Sequence, residues 1–263
     1  MEIVVPVKQV PDLVEELIIA ADGSRLEPDS IKLKLNEFDE HALEQALLLK
    51  EAHGAKVTVI TLESEGIDEV LFTAIAKGAD SAVKVTGDFT EGLDNHRSAM
   101  ILGGIIKTMS HDLVLTGVQA ADDRDGQLGP LLACALDVPH ISVVTGVQVA
   151  GGAAMVRQEY AGGVVAEIEV DLPAVLGIQA AEKPPRYVPV SKVRQAMKSA
   201  KIEEIPAPPV DAAGGVSIRR MLKPEVASRA EMIDGAPEEQ VERLVAILRE
   251  RGFLKQKSGG NHE

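Results

Sequence analysis

The sequence predicts an α/β protein: a parallel sheet flanked by helices, Rossmann-like, with antiparallel strands added after it and a C-terminal arm. Three observations point there. Between residue 3 and Pro139, short apolar runs alternate with stretches of helical periodicity, the rhythm of strand–helix–strand units. After Pro139 the segments shorten and are joined through Gly151-Gly152 and Gly162-Gly163, as antiparallel strands are. Beyond Lys201, Pro206-Ala207-Pro208-Pro209 marks an extended linker ahead of a last amphipathic stretch.

Residues 3–8 form an apolar run fit for a central strand. Pro11-Asp12 breaks it, and an irregular, hairpin-like stretch runs through Asp22-Gly23-Ser24. Residues 40–52 predict a helix that Asp39 can cap, with Ala42, Leu43, Ala46, Leu47 and Leu49 at helical spacing and Gly54 as its stop. A strand over 57–62, a helix over 67–77 ended by Gly78 and a strand over 81–85 follow. Then come a helix over 95–109, a strand over 113–116 and a helix over 131–136. Elements in this order form a parallel sheet covered on both faces, which takes ligands at the carboxyl ends of its strands. Residues 143–149, 154–158, 164–170 and 174–178 are expected to be antiparallel, extending that sheet at an edge or forming a small second one. The core is placed at 1–205 and the arm at 206–263. In the arm, a helix over 238–249 carries Val241, Leu244, Val245 and Leu248 on one face. That stripe folds back on its own domain or packs on a partner.

The loop over residues 116–130 is the most informative segment. It joins a buried strand, Asp112-Leu113-Val114-Leu115, to a helix that begins near Leu131, and it contains Gly117, Gly126 and Gly129. Backbone N–H groups at a helix start point outward with a positive dipole, which makes an anion site. The loop has neither the spaced glycines of a dinucleotide fingerprint nor a Gly-Lys-Ser/Thr. A helix capped by Asp125 satisfies the same residues, so local pattern leaves both readings open.

With 263 residues, 45% of them apolar, the chain can bury a substantial core. A net charge of -14 argues against a nucleic-acid surface and suits basic protein partners. No apolar run is long enough to span a bilayer, and Met1-Glu2-Ile3-Val4-Val5 lacks an export signal. The expectation is a cytoplasmic chain with no direct membrane insertion. The lone Cys134 excludes an internal disulfide and is expected to be a small core residue. His41 and His140 are isolated, no metal-ligand spacing occurs, and no Ser-His-Asp arrangement can be drawn. With no Trp, two Tyr and four Phe, the chain offers few aromatic faces. A large conjugated cofactor is therefore expected to be shared with another subunit.

Six pieces then fall in a known order. They are Val7-Lys8-Gln9-Val10-Pro11-Asp12; Asn36-Glu37-Phe38-Asp39-Glu40-His41-Ala42-Leu43-Glu44-Gln45-Ala46-Leu47; Gly78-Ala79-Asp80; the loop from Gly117 to Gly129; Leu172-Pro173-Ala174-Val175; and Pro185-Arg186-Tyr187. In this order the chain resembles electron transfer flavoprotein β subunits over about residues 1–205, and its tail resembles their C-terminal arm. The resemblance implies a heterodimer whose α subunit holds most of an FAD shared with the β subunit. It also implies a nucleotide pocket in the β subunit, filled by a structural AMP in respiratory members and by a second FAD in bifurcating ones.

Carried over position by position, that pocket draws on Pro6, Val7 and Lys8, on Asn36, Glu37, Phe38 and Asp39, and on Leu62. Its loop supplies Gly117, Gln119, Ala120, Ala121, Asp122, Asp123, Arg124, Asp125, Gly126, Gln127 and Leu128. Asn36 can both donate to and accept from an adenine edge. Asp122, Asp123 and Asp125 cannot all face a phosphate unshielded. Amides of residues 124–128 are therefore expected to hold it, while the acids cap, touch ribose hydroxyls or turn outward. Arg124 neutralises the anion or the acids, and Lys8 balances charge near the nucleotide or the α subunit.

The resemblance also makes the segment after Pro185-Arg186-Tyr187 a recognition loop near 185–201. Val190 stands where an apolar residue anchors in a dehydrogenase pocket, and Tyr187, Lys192, Arg194 and Lys198 are partner-binding candidates. An amphipathic helix with a solvated basic face fits the same residues.

Departures occur as well. Glu63-Ser64-Glu65-Gly66 replaces a frequent Gly-Pro, Leu13 replaces an aromatic near the shared flavin, and Arg157-Gln158-Glu159-Tyr160-Ala161-Gly162-Gly163 follows its signature loosely. Asp122-Asp123-Arg124-Asp125 is closer to the acidic loop of AMP-binding members than to the Asp-Gly-Asp-Thr of bifurcating ones.

The implied function is electron carriage rather than catalysis. Electrons pass from acyl-CoA dehydrogenase-type enzymes of fatty acid β-oxidation, through the shared FAD, to a membrane quinone oxidoreductase. Two alternatives stand beside it. One is a bifurcating carrier that oxidises NADH. The other is a stand-alone nucleotide binder of the universal-stress type, which should end near Pro139.

Overall fold

The computed structural model describes residues 1–89, 92–123, 125–210, 216, 218–224, 230 and 232–254. The chain forms two compact units, Met1–Met221 and Leu222–Glu263.

The first unit begins with strands β1 (Glu2–Pro6), β2 (Gln9–Pro11) and β3 (Leu33–Leu35), followed by helix α1 (Glu37–His53). Next come β4 (Lys56–Leu62), α2 (Ile67–Lys77), β5 (Ser81–Thr86), α3 (Asn95–Ile106), β6 (Leu113–Gly117) and α4 (Leu128–Leu136). The remainder is β7 (His140–Ala150), β8 (Ala153–Tyr160), β9 (Val164–Asp171), β10 (Ala174–Ile178), α5 (Val190–Ser199) and β11 (Glu203–Pro206). Among the described residues a nine-stranded sheet runs in the order β11-β5-β4-β1-β6-β10-β7-β8-β9. Pairing is parallel from β11 through β7 and antiparallel from β7 through β9.

Alternation along the central strands builds a core on each face. Ile3 and Val5 of β1 pack with Leu43 and Leu47 of α1 and Leu71 of α2. Val4 points the other way, into a layer with Ile60, Val114, Ile105 and Ile106 of α3 and Leu132 of α4. Both faces are covered, so the two strands are apolar at successive positions, Ile3-Val4-Val5 in β1 and Leu113-Val114-Leu115 in β6. The chain leaves β1 towards β4 by way of α1, whereas β6 leads through α4 towards the opposite half of the sheet. At such a switch point, a crevice opens at the carboxyl ends of the two adjacent strands.

Several expectations change. β10 is parallel and lies between β6 and β7, not in the antiparallel ribbon. All five of its residues are buried, and a continuous apolar run is the mark of a strand covered on both faces. The antiparallel extension is β7-β8-β9 alone. Pro206 closes an edge strand, and Ala207 N donates to Thr86 O at 2.8 Å, so the proline segment starts as an addition to the sheet. Proline is tolerated there because an edge needs no further donor. Helix α1 begins at Glu37 with Asn36 as its N-cap, not at Glu40 with Asp39. Cys134 is exposed rather than part of the core.

In the second unit, α6 (Pro237–Glu250) starts with Pro237 in its first turn, and Ala236 N donates to Glu239 Oε2 at 3.2 Å. Its Val241 and Leu244 are exposed. No helix among the described residues is long and apolar enough to cross a membrane.

Candidate functional site

The crevice between the ends of β1 and β6 forms a cleft. Lys8, Asn36, Asp39, Asn95, Gly117 and Asp123 line it, together with Gln119, Ala120, Gly126 and Leu128. Its floor is organised by the first turn of α1. Asp39 accepts from Lys8 N through Oδ2 (2.9 Å) and from Gly117 N through Oδ1 (3.2 Å), stapling the ends of the two central strands. Asn36 repeats the tie one turn earlier: its N donates to Lys8 O at 2.9 Å, and its Nδ2 donates to Gln119 O at 3.0 Å. Burial pushes the Asp39 pKa up to about 7, while Asn36, the amides of Lys8 and Gly117 and the Lys8 charge pull it back.

The close approach requires glycine. A Cβ at Gly117 would lie 2.4 Å from Asp39 Oδ1 and 2.8 Å from Asp39 N.

The loop after β6 is held by its own acids. Asp123 accepts from Ala120 N through Oδ1 (3.2 Å), and Asp125 Oδ1 accepts from Gln127 N (3.2 Å) and from Asn95 Nδ2. Gly126, at φ +63°, turns the chain there. Lys8 Nζ sits 2.7 Å from Asp122 Oδ1 and 2.8 Å from Asp123 Oδ2. Burial works against the ammonium, but the two carboxylates outweigh it and raise the Lys8 pKa. The acids are thus engaged with cations and amides of the protein. Asp125 is not the cap of α4: Gln127 is, with no side-chain hydrogen bond, so the first turn of α4 keeps N–H capacity for an acceptor beside Leu128.

Of the residues singled out from sequence, Lys8, Asn36, Asp39, Gly117, Gln119, Ala120, Asp123, Gly126 and Leu128 come together around this cleft. Pro6 and Val7 are buried just beneath it, and Leu62 ends the neighbouring β4. Phe38 flanks Gly117. Glu37, Asp122, Asp125 and Gln127 are exposed at its rim, and Ala121 is half-buried. Arg124 lies outside the described residues. Sequence reasoning missed Asn95; its place at the start of α3, facing the same strand ends, was the available signal.

The second candidate region follows β10. Tyr187 is 85% exposed, and Val190, 61% exposed, is the first residue of α5. Lys192, Arg194 and Lys198 are exposed, whereas Val193 and Ala196 face the core. The basic run is the outer face of an amphipathic helix, and Val190 stands at its tip.

A family model described as Electron transfer flavoprotein domain matches residues 26–210. Over 262 residues the chain is 37% identical to the electron transfer flavoprotein subunit beta of Methylophilus methylotrophus, covering 95% of this chain and 98% of that one. A Bacillus subtilis protein of the same name is 30% identical over 95% of this chain and 98% of its own length. The acryloyl-CoA reductase electron transfer subunit gamma of Anaerotignum propionicum is 28% identical, over 97% and 100% respectively. The matched region takes in the first turn of α1, the loop after β6 and the segment that presents Tyr187. The chain belongs to the electron transfer flavoprotein family, among its β subunits.

Proposed function

We propose that this chain is the β subunit of a heterodimeric electron transfer flavoprotein whose switch-point cleft holds a structural AMP. In this reading, an α subunit supplies most of the FAD site. Electrons come from acyl-CoA dehydrogenase-type enzymes and leave to a membrane quinone oxidoreductase. The flavin, when bound between the subunits, supplies the redox chemistry; this chain's residues bind, orient and dock.

The observation that carries the nucleotide reading is the cleft itself. Gly117 and Gly126 leave room where a Cβ would collide with Asp39 Oδ1 or Val118 O, and the first turn of α4, whose cap Gln127 makes no side-chain hydrogen bond, offers N–H groups to a phosphate. Asn36 Oδ1 remains an acceptor for an adenine amino group. Asp123 favours AMP over a second FAD. Its side chain lies in the cleft and is spent on Lys8 and Ala120 N, where the bifurcating pattern has a glycine. For the shared flavin, Leu13 and Val14 are exposed apolar residues on the loop after β2, which suits burial by another subunit.

Co-expressed with its α subunit, the chain is expected to yield a complex whose FAD is reduced by an acyl-CoA dehydrogenase. Val190→Asp should slow that transfer about 10-fold or more, as losing an apolar anchor does, while FAD and nucleotide content stay at wild-type level. Stopped-flow flavin bleaching measures it. An unchanged rate places docking elsewhere.

A further inference from the structure

The segment between β10 and α5 has no regular structure, yet α1 holds it along successive turns. Ala181 N donates to His41 Nδ1 (3.2 Å), Glu182 N to Gln45 Oε1 (3.1 Å), and Arg186 N to Glu44 Oε2 (3.0 Å). The Arg186 guanidinium closes the fastening. Its Nε and Nη2 reach Glu44 (3.0 and 2.7 Å), and its Nη1 reaches Glu51 Oε1 at 2.7 Å. His41, Glu44, Gln45 and Glu51 are spaced so that one stripe of α1 faces the segment. Glu44 is a carboxylate with a 4%-exposed side chain, tolerable only because the bidentate arginine and the amide satisfy it. Gln45 accepts from Glu182 while its buried Nε2 has no partner among the described residues. That orientation carries a cost, and it serves the segment.

The next residue after this fastening is Tyr187, almost wholly exposed, and Val190 follows. We infer that Glu44 and Arg186 are positioning residues: they mount the 181–186 segment on α1 and so present Tyr187 and Val190 to the electron-donor protein in a fixed geometry. The inference rests on the docking role proposed above for Val190. A docking segment fixed before encounter does not lose its backbone freedom on binding, so its affinity is higher than that of the same residues on a loose loop. The surface it sets is an apolar tip with Lys192, Arg194 and Lys198 behind it. It fits a partner with an apolar pocket rimmed by acidic groups.

The test uses the intact heterodimer with Glu44→Gln, which keeps shape and one acceptor but removes the charge. Arg186→Lys is the second variant, keeping charge but losing the fork. In wild type, the amides of Ala181, Glu182 and Arg186 should be protected from hydrogen exchange although they lie outside helix and strand. Trypsin should cut the Arg186–Tyr187 bond slowly. In both variants exchange and cleavage there should accelerate about 10-fold or more. The donor concentration giving half-maximal transfer should rise by a similar factor, with the limiting rate and FAD content unchanged. Wild-type protection at these amides in both variants overturns the mount. Faster exchange with an unchanged half-saturation overturns its docking role, provided that Val190→Asp does slow transfer. If Val190→Asp has no effect either, the docking assignment has failed, and the positioning role fails with it, while the exchange data still show whether the mount exists.

Discussion

Gly117→Ala is expected to cost the protein about 2–5 kcal/mol and to empty the cleft of the nucleotide proposed for it. The new methyl would sit 2.4 Å from Asp39 Oδ1 and 2.8 Å from both Asp39 N and Phe38 Cβ. None of these is the loose end of a flexible chain. The first turn of α1 would have to move, and overpacking of this kind costs about 1–3 kcal/mol. Movement also withdraws the Asp39 carboxyl from Lys8 N and Gly117 N, and each buried amide left unmatched adds about 1–3 kcal/mol. The ends of β1 and β6 then lose their common tether. Denaturant unfolding of the heterodimer and its nucleotide content measure the two effects together. An alanine variant with wild-type stability and a full complement of nucleotide would refute the stapled cleft.

The second large effect concerns pH. Burial raises the Asp39 pKa to about 7 from 3.8. Between those values the folded protein holds a proton that the unfolded chain has released. Stability therefore falls as pH rises from about 4 to about 7, at no more than about 1.4 kcal/mol per pH unit, and levels off above that window. Asp39→Asn does not titrate, so the fall between pH 4 and pH 7 should be absent from its profile, while the strand-end N–H that its amide leaves unmatched lowers its stability by about 1–3 kcal/mol at every pH. The same variant should hold nucleotide more weakly, because an amide can accept from only one of the two strand-end N–H groups through its single oxygen. The carboxylate is thus kept for the cleft at a cost to stability, a trade common at binding sites. Unfolding curves from pH 4 to 8 decide the matter; a variant with the wild-type slope would assign the titration to another group.

Much of the parallel half was legible because its signals are local and long enough to show a period. The strand at β4 and the helix at α2 fall within a residue of where apolar spacing and the glycine stops put them. Shorter elements were not legible. Gln9–Pro11, Leu33–Leu35 and Glu203–Pro206 are three or four residues long and exist through pairing, not through pattern. β10 was misplaced because it follows two Gly-joined strands in sequence, although its fully apolar run was the better guide. Asp39 shows a similar limit at the site. It is a good local cap by residue type, but two strand-end amides far along the chain claim its carboxyl, and Asn36 takes the cap position. Glu44 and Arg186 meet across 142 positions of sequence, so no window of pattern could join them.

The cleft between β1 and β6 is proposed as an AMP site in a subunit that shares one flavin. Acid denaturation of the purified heterodimer, followed by chromatography of the released nucleotides, is the deciding measurement. One AMP and one FAD per heterodimer is the result expected from the acidic, lysine-paired loop; two FAD and no AMP would contradict it.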